Sequence, residues 1–286
     1  METIDRFAEL SAHPGGSASG APVSVHFSGA PPGATAAGTE PAAVGVDLGS
    51  GYTRIWASGR PTLHVPTVSD SLTNPTPLIR RGRITDAAGL HNLLTRLHRY
   101  HHRPIPTGAV LVVCHPVLAT PDDEHTARRL LTDVFAPSQV LPIATVRAAA
   151  IGAGAAPGPR IIADVGAHLT EVALLDGGRV AAARRADLGM NDLIRPTATG
   201  PIVRAIIDLV GELRHDAYDG DRGAAAAIRT GLLLVGGGAA QPGLAAQTAA
   251  ALNTAVRPAA HPRLAAARGA GLAALAALRR TAATIG

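Results

Sequence analysis

Apolar residues along the chain form short continuous runs and helically spaced stripes that alternate from residue 44 onward. Continuous runs bounded by turn-forming residues predict buried strands, and the spacing of four leucines between residues 90 and 97 predicts an amphipathic helix. Alternation of the two patterns is typical of an α/β fold. The predicted strands are 44–49, 52–58, 108–114, 140–143, 160–166, 169–175, 179–188 and 232–235, and the predicted helices are 90–97, 121–135, 145–154, 199–215, 243–252 and 263–280.

The first forty residues lack this pattern. Residues 1–40 are rich in Gly, Ala, Pro and Ser and carry few large apolar side chains. Such a segment buries too little apolar surface to offset the conformational entropy lost on ordering, so it predicts a flexible N-terminal tail. No apolar run approaches the length of about 18 residues that a membrane span requires, which predicts a soluble protein.

The most informative feature is an internal repeat. The segments 44–53 (VGVDLGSGYT) and 161–170 (IIADVGAHLT) place Asp, Gly and Thr at the same offsets, each between a predicted strand and its hairpin partner. Repetition of one α/β unit predicts two lobes, at 41–158 and 159–286, that face each other across a cleft.

Each copy of the repeat places a carboxylate and a glycine turn at the end of a buried strand. Backbone N–H groups of such a turn bind phosphate without lysine, and Asp47 and Asp164 could hold Mg²⁺ through its water shell. A single Asp-x-Gly is usually an ordinary hairpin turn, but two copies in register favour a phosphate clamp. A third cluster, Gly236, Gly237 and Gly238, lies between a predicted strand and a helix, which suits close backbone approach to a ligand.

Composition narrows the chemistry further. All 26 basic residues are Arg, and the absence of Lys excludes a lysine-containing phosphate loop, a Schiff base and a pyridoxal site. The net charge of +5 comes from scattered arginines with only 2% aromatic residues, which argues against nucleic acid as a partner. The one cysteine, Cys114, lies in an apolar run, which predicts a buried thiol in a protein of the reducing cytoplasm.

The three turns, in this order, resemble the phosphate and adenosine motifs of the actin, heat-shock-chaperone and sugar-kinase ATPase superfamily. Within it the chain is most similar to the bacterial rod shape-determining proteins MreB and Mbl, because 110–116 (VLVVCHP), 148–154 (AAAIGAG) and 267–271 (ARGAG) resemble further segments of that family. The resemblance runs from about 44 to 278. It implies an actin-like ATPase fold, with two duplicated RNase H-like lobes around a cleft that binds ATP with Mg²⁺.

The resemblance also implies a role for each motif residue. Asp47 and Asp164 would organise Mg²⁺ through water, with Asp164 as the one catalytic candidate, and Arg54 is the only basic side chain near the first turn in sequence. The residues implied to contact the nucleotide are Asp47, Gly49, Ser50, Gly51, Asp164, Gly166, Ala167, His168, Gly236, Gly237 and Gly238. The implied backbone or hydroxyl donors to phosphate are Gly49, Ser50, Gly51, Gly166 and Ala167, and the three glycines of the third cluster would lie against the adenosine.

Two departures from the family pattern affect catalysis. His168 and Leu169 replace an inner Gly and a Thr, so a side chain stands where backbone would approach the γ-phosphate, although the imidazole could also donate to it. Ala144 and Thr145 replace an acidic pair that positions the attacking water. Loss of water orientation slows nucleotide hydrolysis by orders of magnitude, so we expect at most a weak ATPase.

The chain is also short for this family. Between Trp56 and Leu90 we expect only loops and Pro-rich segments, and between Asp192 and Pro201 the chain passes almost directly to the next helix. The family carries an outer subdomain at each of these places. The comparison therefore implies that both outer subdomains are reduced, and filament contacts that use them do not simply carry over.

The resemblance leaves three functions open. The first is an MreB-like cytoskeletal protein of the cytoplasm or the membrane periphery, which acts in cell shape or cell-wall synthesis through nucleotide-dependent self-assembly. The second is a non-hydrolysing pseudo-ATPase module that docks onto a full-length actin-like partner or a membrane complex. The third, a small-molecule kinase, is the least favoured because the shortened chain leaves no evident acceptor pocket.

Overall fold

The chain folds into alternating strands and helices over the residues that a computed structural model describes, which are 42–71, 73–100, 105–156, 158–195, 197–216, 227 and 230–285. The predicted tail at 1–40 lies outside them. The strands are β1 (Ala43–Leu48), β2 (Tyr52–Ala57), β3 (Leu63–Pro66), β4 (Ile79–Arg80), β5 (Arg83–Ile84), β6 (Val110–His115), β7 (Gln139–Ala144), β8 (Arg160–Val165), β9 (Thr170–Asp176), β10 (Arg179–Ala186), β11 (Leu232–Val235) and β12 (Val256–Pro258). The helices are α1 (Ala87–Tyr100), α2 (Pro121–Phe135), α3 (Thr145–Gly152), α4 (Gly200–Asp216), α5 (Leu244–Leu252) and α6 (Ala265–Ile285), with short 3₁₀ turns at Met190–Asp192 and Gly238–Ala240.

Two five-stranded sheets share one topology. Their strand orders are β3-β2-β1-β6-β7 and β10-β9-β8-β11-β12. In each sheet the first three strands in sequence pair antiparallel and the last two add in parallel. The register pairs Asp47 with Arg54 in the first sheet and Asp164 with Glu171 in the second. The predicted duplication is therefore confirmed as one sheet topology used twice.

The last helix of each repeat joins the two sheets. Helix α6 packs on β1, β2 and β6 of the first sheet, and α3 contacts α6 and strands of both sheets. The two helices touch backbone to backbone, because a Cβ on Gly152 would overlap the Ala265 carbonyl and a Cβ on Gly269 would overlap that of Ala148. A single apolar core consequently contains residues of both sheets, with Val112 as an example from the first. Two further cores lie on the outer faces, under α1 and α2 and under α4 and α5.

Each predicted strand and helix is present, with ends that differ by up to a few residues. The expectation of loops alone between β2 and α1 was wrong, because β3 pairs with β2 and β4 and β5 form a hairpin. Strand β12 was also missed. These four strands contain two to four residues each, too few for an apolar run to mark them in the sequence.

Two other predictions concern the thiol and the membrane. Cys114 is buried on β6, as predicted. No helix in the described part of the chain combines the length and the apolar character needed to cross a membrane.

Candidate functional site

Three glycine turns meet at one cleft between the two sheets. The turns follow β1, β8 and β11, and together they line a cavity of about 460 Å³. All eleven residues predicted to contact a nucleotide line this cavity, as does Thr145. The carboxyl ends of strands in α/β sheets are the usual location of ligands. The fold thus brings the sequence-predicted set together, while its part in binding stays a prediction.

The first two turns have the same backbone hydrogen bond. The Gly49 N–H donates to the Tyr52 carbonyl at 3.1 Å, and the Gly166 N–H donates to the Leu169 carbonyl at 2.8 Å. The amides of Gly49 and Gly166 are therefore used inside their turns, contrary to the expectation that they donate to phosphate. The two central amides of each turn, Ser50 and Gly51 in the first and Ala167 and His168 in the second, have no partner among the described residues.

The two turns face each other across the cleft. A Cβ on Gly51 would lie 2.9 Å from the Ala167 Cβ, so one turn nearly touches the other. The β4–β5 hairpin closes this end of the cleft, where the Gly82 N–H lies 3.5 Å from Ser50 Oγ. A Cβ on Gly82 would lie 3.6 Å from the Leu169 side chain. The cleft is consequently narrow and capped at the end formed by the first two turns.

Asp47 forms a buried ion pair with a residue of the neighbouring strand. Arg54 Nη1 donates to Asp47 Oδ2 at 3.1 Å, and each residue is 8% exposed. Burial raises the pKa of Asp47, and the Arg54 charge and hydrogen bond counteract only part of this effect. The Arg54 Nε is buried and has no hydrogen-bond partner within the part of the chain that the structure describes.

The second turn has an acid where the first has an arginine. Asp164 lines the cleft, and its partial burial together with the nearby Asp47 charge raises its pKa to about 7. Glu171 is 4% exposed, and its pKa is raised well above the usual range by burial and by Asp164. The pKa of the Cys114 thiol is raised by its own burial and by the nearby Asp47, Asp164 and Glu171 carboxylates. Three acids and one guanidinium thus meet beneath the turns.

Glu171 also connects the two repeats. Its Oε1 accepts a hydrogen bond of 2.6 Å from the backbone N–H of Val117, which follows β6. Glu171 was not among the residues predicted from the sequence to form the site. The available signal was a carboxylate within the mostly apolar segment 169–175 (LTEVALL), because an acid is rarely buried without a partner.

The third turn lies directly against Asp164. Gly236 has φ +86°, and a Cβ at this position would overlap Asp164 Oδ1. Its N–H donates to the Pro262 carbonyl at 3.1 Å, and the exposed Arg263 lines the cavity beside it. A 3₁₀ turn follows before α5 begins at Leu244, so the glycines lie between a strand and a helix, as predicted.

Two residues at the departures from the family pattern have defined partners. His168 Nδ1 lies 3.0 Å from Asp192 Oδ1, and the His168 side chain is 15% exposed in the cleft. Asp192 was not predicted, because 24 residues separate it from His168 and only the 3₁₀ turn brings it close. The Thr145 hydroxyl donates to the His115 carbonyl at 2.9 Å, so its proton is already engaged.

Comparison with known proteins gives no sequence match, since neither a protein-family model nor a curated protein matches this chain. Solved structures do match. MreB 5 of Spiroplasma citri bound to AMPPNP is 13% identical over 85% of this chain and 99% of that chain, with a TM-score of 0.71. MamK in a double helical filament is 15% identical over 82% and 99%, with a TM-score of 0.70. EutJ, an ethanolamine utilization protein from Carboxydothermus hydrogenoformans, is 16% identical over 82% and 90%, with a TM-score of 0.59.

All three proteins share the actin-like ATPase fold. This chain has the actin-like fold. The resemblance inferred from its motifs is therefore confirmed at the level of architecture. At identities of 13–16% the similarity shows the fold alone. The activity of this actin-like chain depends on the residues of its own cleft.

Proposed function

We propose that this actin-like chain binds ATP together with Mg²⁺ in the cleft between its two repeats. The observation that carries the proposal is the pair of equivalent turns that face each other with four unpartnered amides. Consecutive free N–H groups in a turn form a concave site for anions. One turn from each repeat would hold the phosphates from two sides.

The cavity wall fits a nucleotide in two further respects. Arg54 lines the cavity beside the first turn, and its guanidinium would add a positive charge near the phosphates. At the third turn Gly236, Gly237 and Gly238 line the cavity with backbone and no side chain, which allows close approach of a nucleoside. AMPPNP and ADP bound to MreB 5 of Spiroplasma citri support nucleotide as the ligand class.

The acids of the cleft fit a cation bound through water. No group of three or more His, Cys, Asp and Glu in the described residues could hold a metal ion directly. Mg²⁺ commonly retains several waters and uses one or two carboxylates plus substrate phosphates. Asp47 and Asp164 would hold it in this way, and the cation would neutralise phosphate charge. Binding would also favour the ionised form of Asp164, whose pKa is raised to about 7.

Hydrolysis in this cleft would be slow or absent. Thr145 stands where the resembled family has an acid, and its hydroxyl donates to the His115 carbonyl. A neutral threonine hydroxyl is too weak a base to remove a proton from the attacking water, which a carboxylate at this position could do. We therefore propose a nucleotide-binding protein that is at most a weak ATPase.

The biological role that we propose is cytoskeletal, in control of cell shape or cell-wall synthesis. MamK, with a TM-score of 0.70, forms a double helical filament, which supports self-assembly of this chain. We place the protein in the cytoplasm or at the membrane periphery. An alternative within the same fold is a pseudo-ATPase module that docks on a full-length actin-like partner, and a small-molecule kinase is less favoured.

Calorimetric titration with AMPPNP or ADP in the presence of Mg²⁺ tests nucleotide binding. Gly236→Ala should reduce affinity at least about tenfold, because its Cβ would displace Asp164 Oδ1. Gly178→Ala is the matched control, since Gly178 also has a positive φ, of +74°, but a Cβ there meets nothing within 4 Å. Absence of binding by the wild type, or equal loss in the two variants, would refute the proposal.

Pelleting separates the cytoskeletal role from the docking role. A self-assembling protein should sediment with AMPPNP and Mg²⁺ on its own, more than with ADP. A docking module should stay in the supernatant alone and sediment only with a full-length actin-like protein. Phosphate release by Thr145→Glu, compared with the wild type, tests the assignment of slow hydrolysis, and brisk wild-type turnover would contradict it.

A further inference from the structure

His168 is held by a carboxylate that lies behind it. Its Nδ1 is 3.0 Å from Asp192 Oδ1, and His168 lines the cavity whereas Asp192 does not. The two nitrogens lie on different edges of the imidazole ring. Engagement of Nδ1 by Asp192 therefore leaves Nε2 as the nitrogen available to the cleft.

Asp192 is fixed in turn by the segment that carries it. Its Oδ2 accepts a hydrogen bond from the Gly189 N–H at 2.8 Å, and the Met190 and Asn191 amides donate to the carbonyls of the second turn at 3.0 and 2.8 Å. A Cβ on Gly189 would overlap the peptide between Ala167 and His168. The 3₁₀ turn is thus attached to the second glycine turn along its whole length.

Asp192 is a strong acceptor for the imidazole N–H. Its burial alone would raise the pKa, but hydrogen bonds from His168 and Gly189 and the charge of Arg81 outweigh this, so that the pKa of Asp192 is lowered. An ionised carboxylate on one nitrogen fixes the tautomer and the ring orientation of a histidine. This pairing has no counterpart at the equivalent position of the first turn, which is Gly51.

We infer that His168, oriented by Asp192, is the side-chain ligand of the terminal phosphate of a nucleoside triphosphate, and that it makes the cleft prefer the triphosphate to the diphosphate. The inference rests on the proposed nucleotide function. With a nucleoside against the third turn, the phosphate chain extends toward the first two turns, where the cleft is capped. The imidazolium there donates Nδ1–H to Asp192 and Nε2–H to a phosphate oxygen. The His168 side chain thus supplies the donor to the terminal phosphate at the position where backbone would otherwise approach it.

Affinities for AMPPNP and ADP, measured by calorimetry with Mg²⁺, test this inference. His168→Gly should weaken AMPPNP binding by about tenfold or more, the size of a charge-assisted hydrogen bond, and change ADP binding by less than about twofold. His168→Gln should retain part of the preference, because its amide N–H reaches a similar place. His125→Gln, on the exposed face of α2, is the control and should match the wild type.

A different pattern would overturn the inference. Equal weakening of both nucleotides, or tighter AMPPNP binding by His168→Gly, would mean that the imidazole only fills or crowds the cleft. Binding by His168→Gly but not by the wild type would reject the inference and keep the nucleotide site. Absence of binding by every variant would reject the site as well.

The role of Asp192 as a positioning residue is tested by imidazole ¹⁵N resonances. The His168 signals are those lost in His168→Gln. We expect the wild type to carry its proton on Nδ1, and both nitrogens to be protonated after addition of AMPPNP but not of ADP. Asp192→Asn should shift the tautomer toward Nε2–H, because an amide can donate to Nδ1, and should reduce the AMPPNP preference. An unchanged tautomer in this variant would assign Asp192 a purely structural role and contradict the inference.

Discussion

The two glycine turns share a backbone and differ in the charge beside it. In each repeat a cross-strand partner lies seven residues after the aspartate, and it is Arg54 in the first and Glu171 in the second. Arg54 offsets part of the burial effect on the pKa of Asp47, whereas burial and the Asp47 charge raise the pKa of Asp164 to about 7 despite the opposing Arg54 charge. The same fold element thus holds one carboxylate in a direct ion pair with Arg54 and one on which Arg54 acts only through its charge.

This difference assigns the two aspartates unequal roles. Asp47 has a permanent cationic neighbour, which compensates part of the cost of its charge whether or not a ligand is bound. Asp164 faces two other acids and depends on a bound cation to stabilise its ionised form. Ligand-dependent changes should therefore concentrate in the second repeat.

Removal of the arginine has the largest expected effect on this comparison. Arg54→Met leaves Asp47 as a buried carboxyl without its partner, and we expect the free energy of unfolding to fall by about 3–5 kcal/mol. Urea denaturation at neutral pH measures the change. Arg54→Lys is the control, since it keeps the charge and should recover part of the loss. Unchanged stability in Arg54→Met would show that the pair is not what balances Asp47.

The pH dependence of stability tests Asp164. Because its pKa is about 7 in the fold and 3.8 as the ordinary value, the folded protein binds more protons than the unfolded chain between these values. Stability should accordingly fall as pH rises through that window. We expect the Tm of the wild type to fall by a few degrees relative to Asp164→Asn between about pH 5 and about pH 8, at about 2–4 °C for each kcal/mol. Parallel curves for the two proteins would contradict this.

The contact between the first and second glycine turns can be tested by adding a methyl group at Gly51. Gly51→Ala places a Cβ 2.9 Å from the Ala167 Cβ, which should push the turns apart and weaken AMPPNP binding by roughly tenfold. The double variant Gly51→Ala with Ala167→Gly removes the clash and should restore most of the affinity. If the double variant binds no better than the single one, backbone freedom at Gly51 matters rather than the contact.

The smallest effect is expected at Glu171. Burial and Asp164 favour its neutral form, which Gln closely resembles, and the Gln Oε1 can still accept from the Val117 N–H. Glu171→Gln should therefore change the free energy of unfolding by less than about 1 kcal/mol in the same urea experiment at neutral pH. A loss comparable to that of Arg54→Met would mean that Glu171 is ionised and paired.

Much of the fold and of the cavity lining was predictable because both depend on local patterns. Apolar runs identified the eight longer strands, and the repeated Asp, Gly and Thr offsets identified the two equivalent turns. Short strands such as β12 were missed, since three residues carry no periodic signal. The donor roles of Gly49 and Gly166 were predicted incorrectly, because their hydrogen bonds depend on how each turn closes.

By itself the sequence determined the duplicated α/β unit, the order of the three turns and the absence of lysine chemistry. Each of these is a property of neighbouring residues and of composition. Only the tertiary structure decided that α6 of the second repeat packs on the first sheet, that Glu171 approaches Val117, and that Asp192 holds His168. Such contacts join residues far apart in the chain, and their energies depend on distance, burial and charge in the folded molecule rather than on spacing along it.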